Sequence, residues 1–237
     1  MKFLYYCACI GDPNIKIKLQ ILKSNLLFLY NQLQEPFDIV INLYSLQYQS
    51  IFEKLQKLSF IRRVYFYGKK GVLTELFLTN PHNKYITDYD FILFILDDVK
   101  IIHMNLQSMI LEKKKYKLDL LSPKIMKATH SYMYLESGLN LHNFLEIYCL
   151  LLSPSDLTRF FSLYSTQNKW MWGVDLLFGY FQIRAAVMNS CICEHVLPSK
   201  GDFRVAQRLM AEYYRSLHIN YHWIQRKYHP IQEKIHP

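Results

Sequence analysis

The chain has 237 residues, a formal net charge of +9, and 51% hydrophobic and 16% aromatic residues. This composition excludes a disordered chain, and no apolar run approaches the roughly 18 residues that a membrane-spanning helix needs. Only 7 glycines and 8 prolines occur, with no linker rich in either, so we expect one domain followed by a C-terminal extension.

The positive charge fits either lysines on solvated helix faces or an anionic ligand such as nucleotide phosphates or nucleic acid. The lysines are scattered, apart from one dense run at 113–115, and no nucleic-acid-binding motif stands out. We therefore expect no nucleic acid partner, and a basic nucleic-acid-binding protein is kept as the least favoured of three hypotheses.

The cysteines predict an intracellular protein with free thiols. They lie in apolar, strand-like stretches at Cys7, Cys9, Cys149, Cys191 and Cys193. Two C-x-C pairs allow a zinc site, but the usual C-x2-C spacing is absent. Buried thiols in a reducing compartment are favoured. Since the N-terminus reads as a strand rather than a signal peptide, we expect a soluble, cytoplasmic protein.

The first half of the chain alternates between strands and helices. Strands are predicted over 2–10, 37–44, 63–67 and 90–96, and helices over 14–34, 47–58, 72–78 and 105–115. This order predicts an α/β fold with a mostly parallel central sheet flanked by helices. The carboxyl ends of the strands share one edge, which brings together Cys9 to Asp12, the turn at 68–71, and Asp97 with Asp98.

The buried strand at 91–96, FILFIL, runs directly into Asp97 and Asp98. A buried strand has no place for unpaired charges, because a carboxylate in a dry interior costs several kcal/mol. The pair is therefore expected at the end of the strand, facing a cleft, water or a cation. The alternative is a strand followed by a solvated acidic turn, and this stretch alone does not separate the two.

The second half is less regular. Strands are predicted over 118–122, 144–152 and 190–196, and helices over 154–164, 176–184 and 203–217, followed by a basic, aromatic tail from residue 220. Ser153, Pro154 and Asp156 form the start signal of one helix. The strand at 190–196 ends at His195.

Three groups of residues have the chemistry of a binding or catalytic site. Asp97 and Asp98 suit a divalent cation on a diphosphate, with His195 as third ligand, although a lone histidine at a strand end is more often structural. Lys70 and Gly71 precede a helix and suit a phosphate, although most such turns are simply solvated.

The third group is the segment WMWGVD at 170–175. Trp170 and Trp172 offer faces for a sugar ring, Gly173 allows close approach of the backbone, and Asp175 can accept a proton from a hydroxyl. The alternative is that both tryptophans belong to the core and that Asp175 is a helix cap.

Taken together, ILDDVKI, WMWGVD, CEHV and YGKKGV resemble the motifs of GT-A fold glycosyltransferases. The likeness covers about residues 1–200, and it is narrower with the soluble glycosyltransferase domains of large algal (chlorella-type) viruses. It implies a nucleotide-sugar half at 1–122 and an acceptor half at 123–200, with 201–237 packed on them.

The resemblance also implies roles for particular residues. Asp175 is the catalytic base of an inverting reaction. Mn2+ or Mg2+ is held by Asp98 and His195, with Asp97 as a further candidate. The acceptor, a glycan or glycoprotein, lies at Trp170, Trp172 and Gly173. The donor, with a UDP-sugar favoured, lies on Cys9, Gly11, Asp12, Lys70, Gly71, Asp97 and Asp98.

One departure from the family pattern leaves the acidic motif open. The sequence has two adjacent acids where the family has D-x-D. We prefer Asp98 as the metal ligand, which places Leu96 at the first acidic position; the alternative alignment uses Asp97 and places Val99 at the ligand position. A non-catalytic nucleotide- or sugar-binding protein of the same fold is the main alternative function.

Overall fold

The fold is a central sheet with helices on both faces. It is described by a computed structural model over residues 1–11, 14–69, 72–128, 137–197, 202–220 and 232–234. In this part of the chain, one ten-stranded sheet has the order β10-β7-β9-β6-β8-β4-β1-β2-β3, and β5 pairs with β9 outside that path. The predicted fold class is confirmed.

The first half builds four adjacent parallel strands. They are β1 (Phe3–Ile10), β2 (Phe37–Leu43), β3 (Ile61–Gly68) and β4 (Phe91–Leu96), joined in the order β3-β2-β1-β4. All residues of β1 and β2 are buried, as expected for strands with helices on both faces. Their carboxyl ends therefore share the edge that the sequence predicted.

The second half extends the sheet mainly through antiparallel pairs. Its strands are β5 (Val99–His103), β6 (Leu120–Met126), β7 (Leu139–His142), β8 (Cys149–Leu152), β9 (Ala185–His195) and β10 (Gln232–Lys234). β8 runs antiparallel to both β4 and β6, whereas β6 and β9 are parallel. Because β8 connects the two halves within one sheet, they form a single domain.

The α-helices are α1 (Ile15–Leu33), α2 (Gln49–Glu53), α3 (Leu73–Leu78), α4 (Leu106–Lys115), α5 (Pro154–Ser162) and α6 (Phe203–Ser216). Adjacent residues of β1 show how α1 and α5 are distributed. Asn25 of α1 donates to the Tyr5 hydroxyl at 3.3 Å, whereas Tyr6 packs edge-on against Phe161 of α5. Because neighbouring side chains of a strand point to opposite faces, α1 and α5 cover opposite faces of the sheet.

The predicted start of one helix and the predicted free, buried thiols are confirmed. The capping box at Ser153 and Asp156 is present at the start of α5. All five cysteines are free and buried. No helix of the described residues is long and apolar enough to cross a membrane.

The helix predicted over 176–184 is wrong. Only a 3-10 turn forms there, at Asp175–Leu177. The chain then closes a tight loop in which the Ile183 amide donates to the Phe178 carbonyl at 2.8 Å, and Gln182 has a left-handed backbone with φ 53°. The apolar side chains of this segment pack into the core from a loop instead of from a helix, and Phe178 contacts Phe160 edge-on.

The strands of the second half differ from the predicted ones at their ends. β9 begins at Ala185 rather than at 190, β8 begins at Cys149 rather than at 144, and β6 continues past Pro123 to Met126. The proline is tolerated because β8 pairs with β6 only at Leu121, so the ladder with β8 needs no amide at position 123. β5 and β7 were not predicted, because strands this short depend on pairing with β9 more than on their own sequences.

Candidate active site

The first part of the site is Asp97, directly after β4. The last residue of β4 lies beside Ala8 of β1, so Asp97 meets the turn that follows β1. Its Oδ2 accepts a hydrogen bond from Lys18 Nζ at 2.7 Å, and its side chain is 9% exposed. The pKa of Asp97 is raised to about 7, mainly by burial; the charge of Asp98 contributes to this rise, whereas Lys18 and the Gly11 amide oppose it.

The second part is a pair formed by Asp98 and His195. Val99 lies opposite His195 in the β5–β9 ladder, and the Val196 amide donates to the Asp98 carbonyl at 2.9 Å. Asp98 Oδ2 lies 3.1 Å from His195 Nε2. Residues 97 positions apart in sequence are thus held together by backbone pairing.

The protonation of His195 is set by two opposing effects. Burial lowers the pKa of His195, but the hydrogen bond and charge of Asp98, with a smaller contribution from Glu146, raise it above its ordinary value overall. The imidazole also stacks at a tilt on Tyr148, with 4.7 Å between ring centroids. The ring is therefore fixed in place beside a carboxylate.

The donor atoms of this pair are of the kinds that bind divalent cations. Among the described residues, no group of three or more His, Cys, Asp or Glu side chains is arranged around a common metal position. However, Asp98 Oδ1 is buried without a hydrogen-bond partner. Carboxylate oxygen and imidazole nitrogen are ligands that Mn2+ accepts, and one or two carboxylates suffice for Mg2+ on a phosphate.

The turn after β1 supports the same edge of the sheet. Cys9 has a left-handed backbone with φ 69°, and the Tyr44 ring lies so close to Gly11 that a Cβ at this position would overlap it. A glycine is therefore required for the close approach of Tyr44. Asp12, Lys70 and Gly71 lie outside the described residues. Neighbouring Lys69 pairs with Glu75 at 2.5 Å.

The segment at 170–175 presents its tryptophans outward. Trp170 and Trp172 are 39% and 36% exposed, whereas Met171 between them is 2% exposed. The tryptophans are therefore not core residues. Gly173 has φ 76°, and a Cβ there would collide with Met210 and Tyr214 of α6, so the glycine lets this segment pack against the C-terminal helix. The Tyr214 hydroxyl donates to the Gly173 carbonyl at 2.5 Å.

Asp175 follows as a partly buried carboxylate. Its Oδ1 accepts from the Leu176 amide at 3.1 Å, as at the start of a helix, although only a 3-10 turn follows. Burial raises the pKa of Asp175 to about 7, and the charge of Glu146 adds to the shift. A carboxylate with this pKa can both accept and release a proton near neutral pH.

Sequence reasoning missed Glu146 and Tyr164. Glu146 is 4% exposed and interacts electrostatically with both Asp175 and His195, so it connects the two halves of the site. The Tyr164 hydroxyl is buried without a hydrogen-bond partner in the described part of the chain, and its electrostatic neighbours include Asp175 and Cys9. Both residues lie in stretches without a motif, so no local signal marks them.

Comparisons with known proteins agree on the fold. No protein-family model and no curated protein matches the sequence. Among solved structures, GalNAc-T7 with UDP, GalNAc and Mn2+ matches with TM-score 0.63 and 6% identity over 95% of this chain and 56% of that chain. S. aureus TarS 1-349 matches with TM-score 0.60 and 16% identity over 95% of this chain and 69% of that chain.

A further structure, S. aureus TarS 1-349 in complex with UDP-GlcNAc, has TM-score 0.56 and 14% identity over 92% of this chain and 66% of that chain. The chain spans 43% of a longer TarS structure, so it corresponds to part of these proteins. At such low identities the likeness establishes the fold, which is the GT-A fold.

Proposed function

We propose that this chain is a glycosyltransferase that moves a sugar from a UDP-sugar to a hydroxyl of a glycan or glycoprotein, with inversion and with a divalent metal. The observation that carries the proposal is the Asp98–His195 pair at the carboxyl edge of the parallel strands. Ligands of open α/β sheets bind at that edge. The UDP, UDP-GlcNAc and Mn2+ bound by proteins of the same fold support the choice of donor and metal.

The donor side of the reaction uses the ends of β1 and β4. Gly11 and Asp97 would flank the nucleotide, and the loop with Lys70 and Gly71 is proposed to reach its phosphates. Asp98 and His195 would hold Mn2+ or Mg2+, which supplies positive charge to the departing diphosphate.

The acceptor side uses the segment at 170–175. The exposed faces of Trp170 and Trp172 would bind acceptor sugar rings, and the carboxylate of Asp175 would take the proton from the attacking hydroxyl. The new bond forms between that oxygen and the anomeric carbon as the bond from this carbon to the diphosphate breaks. Attack opposite to the leaving group inverts the anomeric centre.

Asp175→Asn tests the proposed base. The variant is expected to lose transfer while its affinity for UDP with Mn2+, measured by calorimetric titration, stays near that of the wild type. Glu35→Gln is the matched control, because Glu35 is an exposed carboxylate. Normal turnover in Asp175→Asn would remove this residue from the mechanism.

The alternative function, a non-catalytic nucleotide- or sugar-binding protein, is separated by the same measurements. Binding of a UDP-sugar without release of UDP, across a broad panel of acceptors, would favour it. The further implication of the narrower resemblance, glycosylation of viral proteins, stays a prediction.

A further inference from the structure

A groove of about 450 Å³ lies at the amino-terminal edge of the parallel strands. It is lined by residues at the starts of β1, β2 and β3 and by the segment before β4, among them Lys2, Asp38 and Arg62. β1 has eight residues, and at about 3.3 Å per residue the groove lies roughly 25 Å from Asp97 and Asp98. It is therefore separate from the candidate active site.

The floor of the groove is held rigid by one buried carboxylate. The Asp38 side chain is 5% exposed. It accepts from Arg62 Nε at 2.8 Å and from the Tyr89 hydroxyl at 2.7 Å. Arg62 is bound through Nε, yet its side chain is still 42% exposed, so its terminal amino groups are presented to solvent in a fixed orientation.

One wall of the groove is aromatic. The rings of Tyr65 and Tyr85 are stacked, with 6.0 Å between centroids and 24° between planes, and His82 packs on Tyr65 at 4.9 Å. Tyr85 is 39% exposed, and Lys84 Nζ lies 4.8 Å from its ring centroid. The stack and Lys84 fix the Tyr85 ring, so a sugar can pack on the part of the ring that stays exposed at low entropic cost.

The charges of the groove select the kind of ligand. The charges of Asp38 and Arg62 offset each other. The other charged residues of the lining are Lys2, Arg63 and Asp88, which together give the groove a small positive excess. A lining with both signs and a positive excess suits hydroxyl groups together with an occasional carboxylate. A nucleic-acid surface would instead be uniformly basic.

We propose that this groove binds an acidic glycan, with a sugar ring on Tyr85 and a carboxylate on Arg62 and Arg63. A guanidinium binds a carboxylate through two parallel hydrogen bonds. The site does not depend on the proposed transferase activity. If the chain is a transferase, the groove would hold a distant part of a long acceptor or a second chain.

The proposal is tested by calorimetric titration of the whole chain with three probes: a galacturonic acid hexamer, an N-acetylglucosamine hexamer and a DNA hexanucleotide. We expect the acidic hexamer to bind more tightly than the neutral one. Tyr85→Ala and Arg63→Gln should each weaken this binding at least tenfold, with UDP affinity unchanged. Tyr116→Ala is the matched control, because the Tyr116 ring also has a lysine beside it, with Lys115 Nζ 4.6 Å from its centroid. This variant should leave glycan binding intact.

Three results would overturn the proposal. Absence of binding by all three probes would mean that the groove is ordinary solvated surface. Equal affinity of the groove variants and the wild type would place the glycan elsewhere, and tighter binding of the hexanucleotide would indicate a nucleic-acid surface. If the wild-type chain did not bind UDP, this would count against the proposed transferase and not against the groove.

Discussion

One carboxylate oxygen and one hydroxyl of the candidate site are buried in a way that a purely structural role does not require. Asp98 Oδ1 and the Tyr164 hydroxyl are buried, and neither has a hydrogen-bond partner among the residues that the structure describes; such an unpaired group costs about 1–3 kcal/mol. Buried polar atoms without partners in the described residues also occur away from the site, at Thr74, Asn140 and His142. Asp98 and Tyr164 differ from these because each lies beside another ionisable group of the site, His195 and Asp175 respectively, and we therefore expect a ligand at these two positions.

The pH dependence of transfer should follow Asp175. A base must be ionised to act, and the pKa of Asp175 is raised to about 7 by burial and by Glu146. The rate should therefore rise with pH through about 7. Removing the charge in Glu146→Gln lowers the pKa of Asp175 and should move this limb to lower pH, whereas Glu35→Gln should leave it in place. An unchanged profile in Glu146→Gln would contradict the coupling.

The stability of Asp175→Asn should exceed that of the wild type at high pH. The folded-state pKa of Asp175 is raised to about 7 from 3.8, so its ionisation destabilises the folded protein as pH rises through that window. Asparagine removes this cost, which is roughly 4 kcal/mol at most. Thermal unfolding at pH 8 should show a higher Tm for the variant, and the gain should vanish below about pH 4. An equal gain at all pH values would contradict the cause.

The Tyr164 hydroxyl should matter for activity and little for stability. Tyr164→Phe removes a hydroxyl that has no hydrogen-bond partner among the described residues, so the free energy of unfolding should be unchanged or higher. Sugar transfer should fall about tenfold, with UDP affinity unchanged. Tyr213→Phe is the matched control, because its hydroxyl donates to the Leu163 carbonyl, and its loss should lower stability. Full activity of Tyr164→Phe would exclude contact with substrate.

At the scale of elements, strands differ in how strongly their own sequences specify them. β1, β2 and β4 are buried throughout or nearly so, so continuous apolar runs predicted them. β7 has four residues and β5 has five, and both depend on pairing with β9. Such non-local pairing leaves little local signal, which also explains why Glu146, in the loop between β7 and β8, was missed.

The contact between the 170–175 segment and α6 depends on Gly173. Gly173→Ala should destabilise the chain by roughly 1–3 kcal/mol from backbone strain, and by more because the new Cβ meets Met210 and Tyr214. Chemical denaturation measures the loss. Gly138→Ala is the control, since Gly138 has φ 91° but is exposed. If both variants lost the same stability, the collision with α6 would contribute nothing.

In the whole molecule, one candidate binding site lies at each end of the parallel strands. The carboxyl edge carries Asp97, Asp98 and His195, which the sequence predicted to meet, because buried strands followed by charges indicated their common edge. The amino-terminal edge carries the groove around Asp38, which no motif marks. The acidic pair and the groove could therefore be occupied at the same time.

The Asp98–His195 pair is proposed to hold the metal of a nucleotide-sugar site. A crystal structure with UDP and Mn2+, recorded with the anomalous signal of manganese, would show whether it does. The predicted result is a manganese peak in contact with Asp98 and His195, with the diphosphate of UDP bound to it. UDP bound away from this edge, or a structure with bound UDP and no manganese at the pair, would contradict the claim.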